Sequence, residues 1–255
     1  MISKDNQGCT SSRVYTGSHV AAAEHFRLSK WYLDCTDGDG HTVIAYRAEL
    51  HWRAVHVHYA AVVGDSSSFR ESPEPIQLGD TLRWQAPALD LEAEWQAIDP
   101  PAECQLLGCI EWNCVMPRAR ACVRAGGRTI RGLGYAEHLT MTTPPWQLPL
   151  RELRWGRFLS EQDGLVWIEC LGDEPVMIAL HNGVAVEPER LWGLGLEPGR
   201  VLREGVLGDG VLGTIPRLRK LLPVRMLDLH ESKRLSRGTF DGASGWAVHE
   251  VVLWP

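Results

Sequence analysis

Lys30-Trp31-Tyr32-Leu33-Asp34-Cys35-Thr36-Asp37-Gly38-Asp39-Gly40-His41-Thr42-Val43-Ile44 is echoed without a gap by Arg154-Trp155-Gly156-Arg157-Phe158-Leu159-Ser160-Glu161-Gln162-Asp163-Gly164-Leu165-Val166-Trp167-Ile168. Trp31, Asp39, Gly40 and Ile44 recur as Trp155, Asp163, Gly164 and Ile168, and Lys30, Thr36 and Asp37 recur in kind as Arg154, Ser160 and Glu161. A second echo pairs Gly134-Tyr135-Ala136-Glu137-His138 with Gly245-Trp246-Ala247-Val248-His249. The first pair opens each half of a duplicated chain and the second closes it, which puts Trp31 and Trp155 at equivalent positions and Trp246 where Tyr135 stands. The expected organisation is an arm over 1–25 and two similar units over 26–145 and 146–255. They meet near Pro144-Pro145-Trp146-Gln147-Leu148-Pro149, whose prolines interrupt any strand.

Working outward, short β-rich runs recur between Gly, Pro, Asp and Asn: 42–50, 52–63, 81–84, 106–116, 121–123, 130–141, 165–170, 176–181, 224–230 and 246–254. Long helical periodicity is missing, and only short helices are expected, after Ser18 and after Thr214. Evenly spaced strands with turn signals predict an all-β sandwich or barrel. Asp37-Gly38-Asp39-Gly40 and Asp163-Gly164 read as hairpin turns, not calcium loops, because the ligand series and its closing Glu are absent.

The 255 residues carry 26 Lys+Arg and 32 Asp+Glu, a formal charge of −6, which argues against a nucleic-acid partner. No apolar run is long enough to cross a bilayer, and the first residues lack the apolar core of a signal peptide, so a cytoplasmic protein is expected. Eleven Trp against 5 Tyr and 4 Phe call for a large core or a wide apolar pocket. Seven cysteines without paired zinc-like spacing read as free, apolar thiols.

The segment that offers chemistry is Ile130 to Met141. As a strand, it places Arg131, Leu133, Tyr135, Glu137, Leu139 and Met141 on one face. If that face is enclosed, desolvation raises the Glu137 carboxyl pKa and keeps it protonated as a general acid, with Tyr135 beside it. The second half carries Val248 at the matching place, as a single active site in a duplicated fold would require. The alternative is that the face looks outward, or that Glu137 pairs with an arginine such as Arg157.

Gly132-Leu133-Gly134-Tyr135-Ala136-Glu137-His138, then Pro145-Trp146 and Leu153-Arg154-Trp155-Gly156-Arg157, resembles the carotenoid 1,2-hydratase (hydroxyneurosporene synthase) and AttH-type superfamily. The resemblance implies two tandem lipocalin-like (calycin) β-barrel halves. It sets Tyr135 and Glu137 at the family's proton-transfer positions and Trp155 to Arg157 at its later Trp-Gly-Arg triplet. Glutamate stands where the family usually has aspartate, and Leu139-Thr140-Met141 replaces its Asn-Trp-Gly. The implied chemistry is hydration of an isoprenoid, or cyclisation or isomerisation of a polyene or polyketide, without metal or organic cofactor. Glu137 and Tyr135 are the candidate catalytic residues, and Trp112, His138, Trp146, Trp155 and Arg157 the candidate substrate-binding residues. The competing function is a carrier for an apolar small molecule; oligomeric state is open.

His51-Trp52-Arg53-Ala54-Val55-His56-Val57-His58 raises a metal reading, since His56 and His58 share a face. Taken as one strand, it puts His51 and His58 on opposite faces with no carboxylate downstream before Asp65, so no metal site is expected. No Gly-x-Ser-x-Gly elbow or complete nucleotide loop occurs.

Overall fold

The computed structural model describes residues 26–63, 72–209 and 222–255. The expected arm and nearly all of the two expected helices fall outside them. Among the described residues the strands form two antiparallel sheets. The first contains β1 (Phe26–Thr36), β2 (Thr42–Trp52), β3 (Val55–Val62), β4 (Ile76–Leu78), β5 (Thr81–Ala86), β6 (Leu91–Ala97), β7 (Ala102–Leu106), β8 (Ile110–Ala125) and β9 (Arg128–Met141). The second contains β10 (Leu150–Leu159), β11 (Gly164–Gly172), β12 (Val176–His181), β13 (Val184–Val186), β14 (Gly195–Leu196), β15 (Arg200–Val206), β16 (His230–Phe240) and β17 (Ala243–Leu253). Strand order is β3-β2-β1-β9-β8-β6-β5-β4 with β7 beside β8, and β13-β12-β11-β10-β17-β16-β14 with β15 beside β16. In each sheet the opening strand lies between the next strand and the closing one, so the two echoes sit side by side. This is the expected all-β fold of two lipocalin-like halves.

Each sheet curls around a core of its own. Leu33, Cys35, Trp84, Trp95, Met116 and Ala136 fill the first, and Phe158, Leu165, Phe240 and Ala247 the second. The opposite faces of β1, β2, β9, β10, β11 and β17 meet at a third core, a seam that takes Tyr32, Ile44, Tyr46 and Tyr135 from one sheet and Trp155, Ile168 and Val248 from the other. Alternation therefore sends one half of each central strand inward and the other half into the seam.

The seam corrects the residue-level repeat. Ile44 and Ile168 share it, but Trp31 packs with the enclosed core of the first sheet while Trp155 lies in the seam. The intervening turns, 37–41 and 160–163, differ by one residue, and a one-residue slip exchanges the faces of a strand. The second echo keeps its faces: Glu137 lies opposite Tyr32, and Val248 opposite Arg157.

Three further local differences have physical causes. The expected run 52–63 is broken at Arg53-Ala54, where Arg53 takes a left-handed φ of 54° and turns β2 back into β3. The runs 106–116 and 121–123 are largely one strand, β8, which passes Pro117 through irregular register between Asn113 and Ala119; a bulge absorbs the missing N–H. Residues 224–227 form one helical turn, and β16 begins only at His230.

Two buried ion pairs tie the sheets together. Arg157, with no exposure, donates from Nε and Nη2 to both oxygens of Asp34 at 3.1 and 2.9 Å, and from Nη1 to the Trp246 carbonyl at 2.8 Å. Arg118 of β8 donates to Asp99 at 3.1 and 2.8 Å and to the carbonyls of Ser160 and Glu161. Removing one partner of such a pair strands the other charge in a dry interior. We expect Arg157→Met to lower the unfolding free energy by about 3–5 kcal/mol. The double variant Asp34→Leu/Arg157→Met should lose less; equal losses in urea unfolding would contradict this account.

Candidate active site

The glycines ahead of Glu137 let β9 close on its neighbours. A Cβ on Gly134 would stand 2.6 Å from the Asp34 carbonyl oxygen and 2.7 Å from Trp95 Cδ1. With that face pressed into the enclosed core, Tyr135 and Glu137 necessarily point the other way. The face is not the interior of the first barrel half but the seam, which settles the direction the sequence left open.

Glu137 is 8% exposed, and all the hydrogen bonds it receives among the described residues reach one oxygen. Trp112 Nε1 donates to Oε2 at 2.6 Å, Tyr135 Oη at 2.6 Å and, from the second sheet, Trp155 Nε1 at 3.1 Å. Arg157 does not pair with Glu137, since its guanidinium is committed to Asp34. Burial pushes the carboxyl above its ordinary range, while the donations from Trp112 and Tyr135, the charge of Lys30 and the Trp155 donation pull it down; burial prevails. In the neutral acid Oε2 is then the carbonyl acceptor, and Oε1 is the oxygen left to carry the proton. The phenol of Tyr135, fully buried, is pushed well up by desolvation and stays a hydrogen-bond donor.

A cavity of about 210 Å³ lies along the same seam. Phe26, Leu28, Leu50, Val57, Tyr59 and Trp146 supply much of its apolar wall, and Lys30, Tyr46, Arg203, Glu231 and Glu250 its polar side. Lys30 precedes Tyr32, the register partner of Glu137, by two residues on the same face of β1. That spacing is about 7 Å. Glu137 itself is not part of the cavity wall.

The polar side is a buried charge network that strand reading missed. Lys233, 1% exposed, donates to Glu250 Oε2 at 2.6 Å and to Tyr46 Oη, and lies 3.5 Å from Glu231 Oε1. Burial lowers the Lys233 pKa, but Glu250, Tyr46 and Glu231 outweigh it and hold the ammonium well above its usual range. Lys30 goes the other way: burial lowers it, Lys233 repels it, and Glu250, Glu231 and Glu137 compensate only in part. The available signal was the alternation Glu231, Lys233, Leu235 on β16, three residues pointing to one face.

Of the other candidate residues, Trp112 and Trp155 bracket Glu137, Trp146 lines the cavity and packs edge-on against Phe26 and Trp52. Arg157 borders a second, smaller cavity of about 160 Å³. His138 stands on the opposite face of β9, tilted against the Trp31 ring at 4.7 Å and bonded to Ser29 Oγ at 2.8 Å, apart from the rest. Cys35, Cys109, Cys114, Cys122 and Cys170 are free thiols. Asp37 accepts the backbone N–H groups of Asp39 and His41, as a turn residue does. Among the described residues no helix is long and apolar enough to cross a membrane.

No family model matches the sequence, and a search of curated proteins finds no relative. Among solved structures the chain is similar to CghA in complex with Sch210972, with a TM-score of 0.52 at 9% identity over 89% of this chain and 88% of that one. A putative AttH from Nitrosomonas europaea gives 0.47 at 11% identity, over 89% and 92% of the two chains. Kievitone hydratase from Nectria haematococca gives 0.44 at 10%, over 89% and 88%. The CghA likeness establishes a shared two-half lipocalin-like architecture.

Glu137 makes stability depend on pH. A carboxyl whose folded pKa is raised above its ordinary 4.5 stabilises the fold fully below that value and loses the contribution as pH rises through the folded value. Melting temperatures of the wild type should therefore fall across that window relative to those of Glu137→Gln, which keeps the acceptor oxygen and cannot ionise. Parallel profiles would show that folding leaves the Glu137 pKa unshifted.

Proposed function

We propose that the protein is a hydratase- or cyclase-type enzyme acting on an apolar isoprenoid, polyene or polyketide held in the seam cavity, with Glu137 as proton donor. The observation that carries this reading is the Glu137 carboxyl itself: buried, raised in pKa, and held through one oxygen by donors from both halves. The architecture shared with CghA, crystallised with Sch210972, supports a small-molecule ligand for this fold.

Protonated Oε1 would give its hydrogen to an alkene carbon, and the electron pair of the double bond would form the new C–H bond. The resulting tertiary cation would be stabilised by the faces of neighbouring tryptophan and tyrosine rings. Water would then add to the cation and return a proton to the carboxylate, or an internal double bond would attack it and close a ring before the proton is lost. Tyr135, Trp112 and Trp155 would stabilise the transient carboxylate at Oε2 without giving up their own protons. Neither route calls on a metal or an organic cofactor.

A second reading, a carrier without catalysis, draws on the position of Glu137 outside the cavity wall and on the mainly apolar lining. Incubation with acyclic polyenes followed by mass spectrometry separates the two. The enzyme reading expects a gain of one water or an isomeric product, reduced at least about 100-fold in Glu137→Gln with the melting temperature at acid pH retained. Unchanged ligand co-purifying with wild type and variant alike would establish the carrier.

A further inference from the structure

The outer face of the β2–β3 hairpin assembles a donor set that the linear sequence conceals. Because the chain reverses at Arg53-Ala54, His51 lies directly opposite His56, and Glu49 directly opposite His58. The four side chains therefore share one face, whereas Leu50, Val57 and Tyr59 on the other face wall the cavity. Glu49 Oε1 is 2.7 Å from His51 Nε2 and 3.2 Å from His56 Nε2, and Glu49 Oε2 is 3.9 Å from His58 Nδ1. Ligand atoms of Glu49, His51 and His56 all fall within 4.8 Å of one another. The imidazole rings are neighbours too, with centroids 3.8 Å apart for His51 and His56 and 4.4 Å for His56 and His58.

We propose that Glu49, His51, His56 and His58 bind one late first-row divalent cation, zinc above all. Zinc bonds of 2.0–2.1 Å in a tetrahedron put ligand atoms about 3.3 Å apart, close to the separations of Glu49 Oε1 from His51 and His56; His58, 3.9 Å from Oε2 and outside that close group, joins as the fourth ligand by a side-chain rotation. Three imidazoles with one carboxylate suit Zn²⁺, Cu²⁺ or Ni²⁺, whereas Ca²⁺ and Mg²⁺ require oxygen-rich shells. His51 and His56 are about half exposed, so loading needs no opening of the fold. The carboxylate is also accessible for it: Arg47 lies 3.5 Å from Oε2 of Glu49 but makes its short contact, 2.6 Å, with Glu74. A bound ion would pin β2 to β3 and so stiffen one wall of the cavity. This assignment does not depend on what the cavity holds.

Calorimetric titration of the full, tag-free chain with ZnCl₂, and separately with NiCl₂, tests the site. We expect one equivalent of Zn²⁺ with Kd below about 10 μM, accompanied by a rise in melting temperature. His56→Ala/His58→Ala should weaken the binding at least about 100-fold and abolish that rise. His41→Ala, at the separate Asp37–Asp39–His41 turn, should leave both unchanged. A Kd weaker than about 10 μM, or equal affinity in the double variant, would overturn the assignment. Metal-free circular dichroism of each variant confirms that lost binding is not lost folding.

Discussion

Arg157 carries a full charge into the contact between the two sheets with no exposure to water, and Asp34 meets it with both carboxylate oxygens. Burying either group alone costs several kcal/mol, so this pair admits only one register between β1 and β10. Around it the seam fills with side chains that must also match: Tyr32 packs on Trp155 at 4.8 Å and donates to Asp34 at 3.0 Å. The position of Trp155 against Glu137 follows from the same register. A dry, fixed seam is what makes the Glu137 carboxyl behave unlike a surface acid.

The seam also divides polar labour. On one side lies a single acid enclosed by aromatic donors, raised in pKa because burial outweighs three hydrogen bonds. Toward the cavity lies a network in which two lysines compete for Glu250, one shifted up and the other down. The cavity wall next to them is mainly apolar.

Legibility in the sequence followed the burial pattern of each element. Ile130 to Met141 was readable because its faces differ in kind, and the candidate pair Tyr135 and Glu137 came from that alternation. Opening strand β1 was not, because Tyr32 to Thr36 are buried on both faces and include Asp34 and Thr36, which look like loop residues until Arg157 satisfies them. Lys233 escaped notice for the same reason, since a buried lysine is plausible only beside Glu250 and Glu231. Read as one strand, the sequence puts His51 on the wrong face, because nothing in Trp52-Arg53-Ala54-Val55 announces a turn; the left-handed residue there is an arginine, not a glycine.

The amino-acid sequence by itself determined the β class, the two-half organisation and the strand face that bears Glu137, because these depend on local periodicity and on similarity along one chain. Which way that face points was decided only by tertiary structure. Two curled sheets each have an inside, and alternation alone cannot tell that inside from the surface on which the sheets meet. Trp155 reaching Glu137, Arg157 turning to Asp34 and the histidines gathering around Glu49 all join residues whose relation is set by register across strands and by the packing of one half on the other.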